Sequence, residues 1–177
     1  MDIPLALAAM VAEMLTGYPG SLYRRVGHPV VWIGALIRAL EVKLNRGSDR
    51  RRRIAGAVAL AVTAVAAGAA AAGLAASLTG AAGFLVVACI GGSLVAQRSL
   101  AEHVRRVADA LDRGGLTSGR AAVAHIVGRD PESLDMAGVS RAAVESLAEN
   151  FSDGVVAPVL WMAVGGLPAA AAYKAIN

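Results

Sequence analysis

Glu145, Glu149 and Asp153 are spaced four residues apart in the run Arg141-Ala-Ala-Val-Glu145-Ser-Leu-Ala-Glu149-Asn150-Phe-Ser-Asp153-Gly154. An α-helix turns by about 100° per residue, so all three carboxylates fall within about 80° of one another on one face. Like charges at this spacing cost about 0.2–0.5 kcal/mol per pair when nothing compensates them. Carboxylates near a helix C-terminus also oppose the macrodipole. A chain that keeps them together has either a cation to hold or an open, solvated face. Oxygen donors, with the Asn150 amide beside them, suit Mg2+ rather than zinc or copper, and Mg2+ usually comes with phosphates. Cations that could neutralise phosphates stand nearby at Arg129 and Arg141 and, beyond the next apolar run, at Lys174. The plainer alternatives are a solvated face with an Arg141–Glu145 pair, a turn capped by Asp130, and a Lys174 that snorkels toward water. His28, just before Pro29, is a candidate base or phosphate contact, or a structural histidine. His103 and His125 read as structural or solvated.

These residues need a frame, and the charge spacing says that it is a membrane. No Asp, Glu, Lys or Arg occurs in the 44 residues between Arg53 and Arg98. A helix needs about 20 apolar residues to cross the hydrocarbon layer, so this gap holds two crossings, at about 54–78 and 81–97. The small residues Thr79-Gly80-Ala81-Ala82-Gly83 make the turn between them. A soluble helix this long with no polar face would be very unusual. Composition agrees, with 56% hydrophobic residues and a mean hydropathy of +0.58. Lys43, Arg46 and Arg50 to Arg53 precede the hairpin and Arg98, Arg105 and Arg106 follow it. Both flanks are therefore expected on the cytoplasmic side, by the bias of Lys and Arg toward that side. The basic balance (net charge +4) then reflects anionic headgroups rather than nucleic acid.

The remaining segments arrange themselves around the hairpin. Residues 3–15 form a retained membrane or interfacial helix that Tyr18-Pro19-Gly20 breaks. A signal peptide fits poorly, because the start carries Asp2 and no Lys or Arg. His28-Pro29 opens a second helix whose apolar face is Trp32, Ile33, Leu36, Ile37, Leu40 and Leu44, as in an interfacial or re-entrant element. Beyond Arg98 the texture is that of a soluble helical segment. Ser99 and Glu102 fit a capping box, and Gly114-Gly115 ends the first helix. A short helix runs from about Ser118 to Val127. Asp130 and Pro131 cap the next start. A third helix begins near Ser140 and buries Val144, Leu147, Ala148 and Phe151. Residues 155–175 form a further membrane segment, broken at Gly165-Gly166-Leu167-Pro168. The expected fold is all-α: a polytopic membrane protein with N-terminal helices and a basic loop (1–53), a transmembrane hairpin (54–97), a small cytoplasmic helical segment (98–152) and a broken membrane helix (153–177).

Strand periodicity, internal repeats and linkers are absent from the pattern. The single cysteine, Cys89, excludes an intrachain disulfide and a multi-cysteine zinc site, and its expected role is packing. There is no glycine-rich phosphate loop, G-x-S-x-G elbow or H-E-x-x-H. The residues alone thus reach a membrane protein with an acidic–basic cytoplasmic site.

The run Ile126-Val-Gly-Arg129-Asp130, followed by Gly138-Val-x-Arg141-Ala-Ala-Val-Glu145-Ser-Leu-Ala-Glu149-Asn150-x-x-Asp153-Gly154-Val-Val-Ala-Pro158, resembles the CobD/CbiB family of cobalamin biosynthesis. So do His28-Pro-Val-Val-Trp-Ile-Gly34, Arg98-Ser-Leu-Ala-Glu-His103 and Gly166-Leu-Pro168 through Tyr173-Lys174-Ala-Ile-Asn177. The similarity covers essentially the whole chain, in order. It implies an adenosylcobinamide-phosphate synthase of the bacterial inner membrane, with 18–53 and 98–152 facing the cytoplasm. Such enzymes join (R)-1-aminopropan-2-ol, or its O-phosphate, to a propionate carboxyl of adenosylcobyric acid, with ATP and Mg2+. The corrinoid is then a substrate, not a prosthetic group. Under this resemblance Glu145, Glu149 and Asp153 hold Mg2+, and Arg129, Arg141 and Lys174 neutralise phosphates. Asn150 and His28 orient substrate. The implied protein partners are a second copy of the chain or other enzymes of the cobalamin pathway. Two features depart from the pattern. Tyr18 stands where the family usually has Asp in Gly-Asp-Pro, with Glu13 as a potential substitute. The family also continues past Asn177 with a Thr-x-Asp-Ser-Met-type motif and further membrane helices, so the chain is expected to be part of a longer protein. Two other classes remain open: a membrane regulatory or sensor protein of a distantly related family, and a corrinoid transport component.

Overall fold

Asp2 starts the first helix: its carboxylate accepts the Leu5 amide at 3.3 Å, and Pro4 sits in the first turn. The computed structural model describes residues 1–127 and 130–177, and the regular elements among them are all helical. They fall into two units, 1–95 with 156–177, and 96–155.

In the first unit, α1 (Ile3–Thr16) ends at Gly17, whose φ of +57° suits glycine. A short α2 (Gly20–Val26), absent from the sequence reading, fills the expected break. Pro19 is its N-cap, and Arg24 and Arg25 lie at its C-terminal end, where cations favour the helix dipole. α3 (Pro29–Leu44) follows, and the α1-to-α3 stretch bends by 106°. α4 (Asp49–Ser77) has 29 residues, about 43 Å at 1.5 Å per residue. The chain turns at Leu78-Thr79 and Gly80 (φ +71°), inside the expected small-residue break, and returns as α5 (Gly80–Gly92). The second crossing is shorter than the expected 81–97. Gly91-Gly92 let the last turn close on Ser93, whose amide bonds the Cys89 and Ile90 carbonyls (both 3.1 Å) and whose hydroxyl donates to Ile90 at 2.6 Å. Thirteen residues span about 20 Å, less than the hydrocarbon layer. The last helix, α8 (Ala157–Ile176), is interrupted at Gly165 and Gly166 (φ +67°), as expected. Its second arm runs antiparallel to α4: a Cβ on Gly68 would lie 3.4 Å from the Pro168 carbonyl oxygen, and Ala175 and Ile176 reach the level of Ala55 to Thr63.

The core of this unit is made of small and medium side chains: Leu5, Ala6 and Ala9 from α1, Val87 and Ala88 from α5, Met162, Leu167 and Ala170 from α8. The contact is closest at α5. A Cβ on Gly91 would stand 3.0 Å from the Met162 thioether, and one on Gly92 would stand 2.9 Å from the Ala9 carbonyl oxygen. The outside is apolar, with Leu60, Val65, Leu85 and Leu160 more than half exposed. Three helical stretches, 49–77, 80–123 and 136–176, are long and apolar enough to cross a membrane, or four if the bent α1–α3 pair is one span. Lipid is the solvent that such a surface requires.

The second unit holds α6 (Gln97–Val123), a 3-10 turn (Pro131–Ser133) and α7 (Met136–Phe151). α6 kinks at Gly115 (φ +64°), where the sequence placed a helix end. Its N-cap is Ala96, so the Ser99–Glu102 capping box does not form. Ser99 instead lies in the first turn, with its hydroxyl donating to the Ala96 carbonyl (3.3 Å), and Glu102 takes a bond from Arg98 Nε (3.0 Å). Asp130 caps the 3-10 turn through the Glu132 amide (3.0 Å), as expected. α7 starts at Met136 rather than near Ser140, because Asp135 accepts the Gly138 amide at 2.6 Å. The expected buried face is also wrong. Val144 and Phe151 are exposed, Ala148 is exposed and Leu147 is half-buried, while Val139, Ala142, Ala143 and Ser146 are buried against Val107 and Val123. Both stripes have helical spacing. The smaller side chains win because they allow α6 and α7 to approach closely.

Replacing Gly92 with Val should weaken the α1–α5 contact by about 1–3 kcal/mol, the usual cost of overpacking. Reversible unfolding in mixed micelles should show it, whereas Gly73→Ala, where a Cβ meets nothing within 4 Å, should leave stability unchanged or slightly raised.

Candidate functional site

The carboxylates come first. Glu145 and Glu149 are exposed on α7, and Asp153 is exposed one turn further on. The helix does not end at Asp153-Gly154. It passes into a π-helical turn, Ser152–Val156, and continues as α8. A π turn bonds i to i+5 and so takes Asp153 off the α-helical register that aligns Glu145 with Glu149. Among the described residues no three His, Cys, Asp or Glu side chains come together as a metal-binding group. The three-carboxylate Mg2+ set read from the sequence is therefore not assembled. The π turn itself is tied down: the Ala96 amide donates to the Gly154 carbonyl at 2.9 Å.

Beside the carboxylates on α7 stand a buried Ser146 and, one turn on, an exposed Asn150. Ser146, buried, donates its hydroxyl to the Ile126 carbonyl at 2.6 Å. Asn150 donates its amide to the Ser146 carbonyl (2.8 Å) and lies 3.1 Å from the Ser146 hydroxyl. Ser146 thus fastens α7 to the turn at Ile126 that follows α6. Arg129, read as a phosphate contact, lies outside the described residues. Arg120 ties α6 to the 3-10 turn, donating to the Leu134 carbonyl (2.8 Å) and lying 3.7 Å from Glu132. Arg141 lies 3.9 Å from Asp135, an exposed pair worth little by itself.

His28 and Lys174 belong to the first unit, and the structure brings them into one neighbourhood. His28 is the N-cap of α3: its Nδ1 accepts the Val30 amide at 3.2 Å. It stands in the α2–α3 loop, outside the three apolar stretches. Burial, and then the Lys174 ammonium, hold its pKa below the ordinary value of 6.5. Lys174 also reaches the Asn177 Oδ1 at 3.5 Å. Asn177 lines a cavity of about 530 Å³ with Glu41, Asn45 and Arg52. That polar set was not singled out from the sequence. His103, read as structural, lies 2.6 Å from the Ser99 carbonyl. Glu13 is buried in α1, with its backbone against Gly92.

These features define a helical, multi-pass membrane protein with exposed carboxylates in one unit and a capping histidine, His28, in the other. The model of the family described as CobD/Cbib protein matches residues 6–177. A cobalamin biosynthesis protein CobD of Sinorhizobium sp is 51% identical over 177 residues, covering 98% of this chain and 54% of the relative. The protein of that name from Sinorhizobium fredii is 49% identical, covering 97% and 53%, and one from Rhodobacter capsulatus is 49% identical, covering 98% and 55%. No solved structure matches. The chain belongs to the CobD/Cbib family, and it spans about half the length of these curated relatives.

Two measurements follow. Ser146→Ala strands the Ile126 carbonyl and should destabilise the second unit by about 1–3 kcal/mol, read as faster amide exchange in α7. A histidine whose folded pKa is depressed lets the unfolded state take up its proton first. Stability should therefore be level above pH 6.5 and fall as the pH drops below it. His28→Asn, which keeps a capping oxygen, should flatten that dependence in thermal unfolding between pH 5 and 8.

Proposed function

We propose that the protein works in cobalamin biosynthesis as the ligase that joins (R)-1-aminopropan-2-ol, or its O-phosphate, to a propionate carboxyl of adenosylcobyric acid. The observation that carries this reading is membership of the CobD/Cbib family through residues 6–177, a span that includes the whole Glu145–Gly154 run.

The chemistry sets the demands. A carboxylate does not condense with an amine until an oxygen is made a leaving group. ATP is the activator in this proposal: a propionate oxygen takes the terminal phosphoryl group, ADP leaves, and the amine nitrogen then displaces phosphate from the acyl carbon. Each step moves negative charge among phosphate oxygens, which fixed cations and N–H donors stabilise. Lys174 and His28 offer this in the first unit, and Arg141 in the second. Arg129 is assigned the same role by resemblance. Asn150, already held by Ser146, is assigned to substrate orientation. Mg2+ is usually held by one or two carboxylates together with substrate phosphates. With no three-carboxylate group assembled, Glu145 and Glu149 are the first donors to test, and Asp153 the third. We place the protein in the bacterial inner membrane with 18–53 and 98–152 toward the cytoplasm, on the strength of the Lys and Arg residues that flank the 54–97 stretch.

A bacterium lacking its cobinamide-phosphate synthase, fed cobyric acid, is the direct test. With the complete reading frame expressed and inserted, cobalamin-dependent growth should return, and Glu149→Gln should abolish it. Failure of the wild-type protein to restore growth would sink the reading. Full growth with Glu149→Gln would remove the carboxylate face from the site.

A further inference from the structure

The connection between α2 and α3 is clamped from several sides. The Tyr18 hydroxyl donates to the Gly27 carbonyl at 2.6 Å, and the Tyr18 ring lies 4.4 Å from the His28 ring, tilted by 57°. The Trp32 indole donates to the Val26 carbonyl at 3.1 Å. Gly27 has a φ of +77°, and a Cβ there would meet the Trp32 nitrogen at 3.1 Å, so the loop admits only glycine at that point. His28 then caps α3 through Nδ1.

That cap fixes the position of a proton. A backbone N–H can only donate, so the Nδ1 facing Val30 must present its lone pair. In a neutral imidazole the proton is then on Nε2. Taking a second proton on Nδ1 would break the cap, and the neighbouring Lys174 ammonium opposes it as well. His28 is thereby a poor general base and a well-placed donor.

We infer that Tyr18 is a positioning residue that locks His28 as a neutral Nε2–H donor to a phosphate group. This rests on the assignment of His28 to phosphate in the proposed function. It also gives the aromatic side chain at position 18 a task of its own, where the sequence pattern led one to expect Asp.

The test is nitrogen NMR of the protein labelled with 15N-histidine, in a maltoside detergent free of phosphate so that no lipid headgroup competes. His28 is assigned by loss of its signals in His28→Asn. At pH 7.5 the wild-type ring should show the Nε2–H tautomer and shift on addition of inorganic phosphate but not of acetate. His103 serves as an internal reference of opposite tautomer, because the Ser99 carbonyl can only accept and so requires Nδ1–H. Tyr18→Phe should keep the ring contact and the tautomer. Tyr18→Ala should give mixed tautomers and weaken phosphate binding by about three- to tenfold, the worth of one hydrogen bond, with His103 unchanged as a sign of intact folding. An Nδ1–H or cationic His28 in the wild type would overturn the inference. So would a Tyr18→Ala protein that keeps both tautomer and phosphate affinity, or a response to acetate equal to that to phosphate. None of these readouts needs turnover, so failed complementation with an intact NMR signature would count against the biosynthetic reading alone.

Discussion

A Cβ on Gly92 would lie 2.9 Å from the Ala9 carbonyl oxygen, and the first unit depends on that closeness. In lipid the hydrophobic effect no longer presses helices together, so they associate through close backbone packing. Gly91 and Gly92 let α5 settle against α1 and against Met162 of α8, and the core that results is mostly alanine, valine and leucine. With α1 fixed in this way, its C-terminal end delivers Tyr18 to the loop that carries His28. Small residues in the helical core therefore bear on the placement of the polar residues in the α2–α3 loop.

The second unit solves a different problem. Its α6 and α7 bury a small core around Val107, Val123 and Val139, and the buried Ser146 hydroxyl bonds the Ile126 carbonyl. Ser146 satisfies the Ile126 carbonyl and also takes a bond from Asn150 one turn further on. The large apolar residues Val144 and Phe151 are turned outward with Glu145 and Glu149.

Much of this was legible in the sequence. An uncharged run of 44 residues, too long for one crossing and split by small residues, requires a hairpin in any solvent that tolerates it. Gly115, Gly166 and the Asp130-Pro131 cap act locally, and each punctuates the chain where its chemistry says that it should. The family was legible too, because the Glu145–Gly154 run is long and its residue types are specific. Tertiary structure decided what local pattern leaves degenerate. Two stripes on α7 have the same periodicity, and only close packing against α6 selects the small one. The alignment of three carboxylates assumed an unbroken α-helix, and the π turn at Ser152–Val156 changes the register at Asp153. The electrostatic influence of Lys174 on His28 joins residues 146 positions apart in the chain. No spacing rule reaches that far, since it depends on α8 returning along α4 after the break at Gly166.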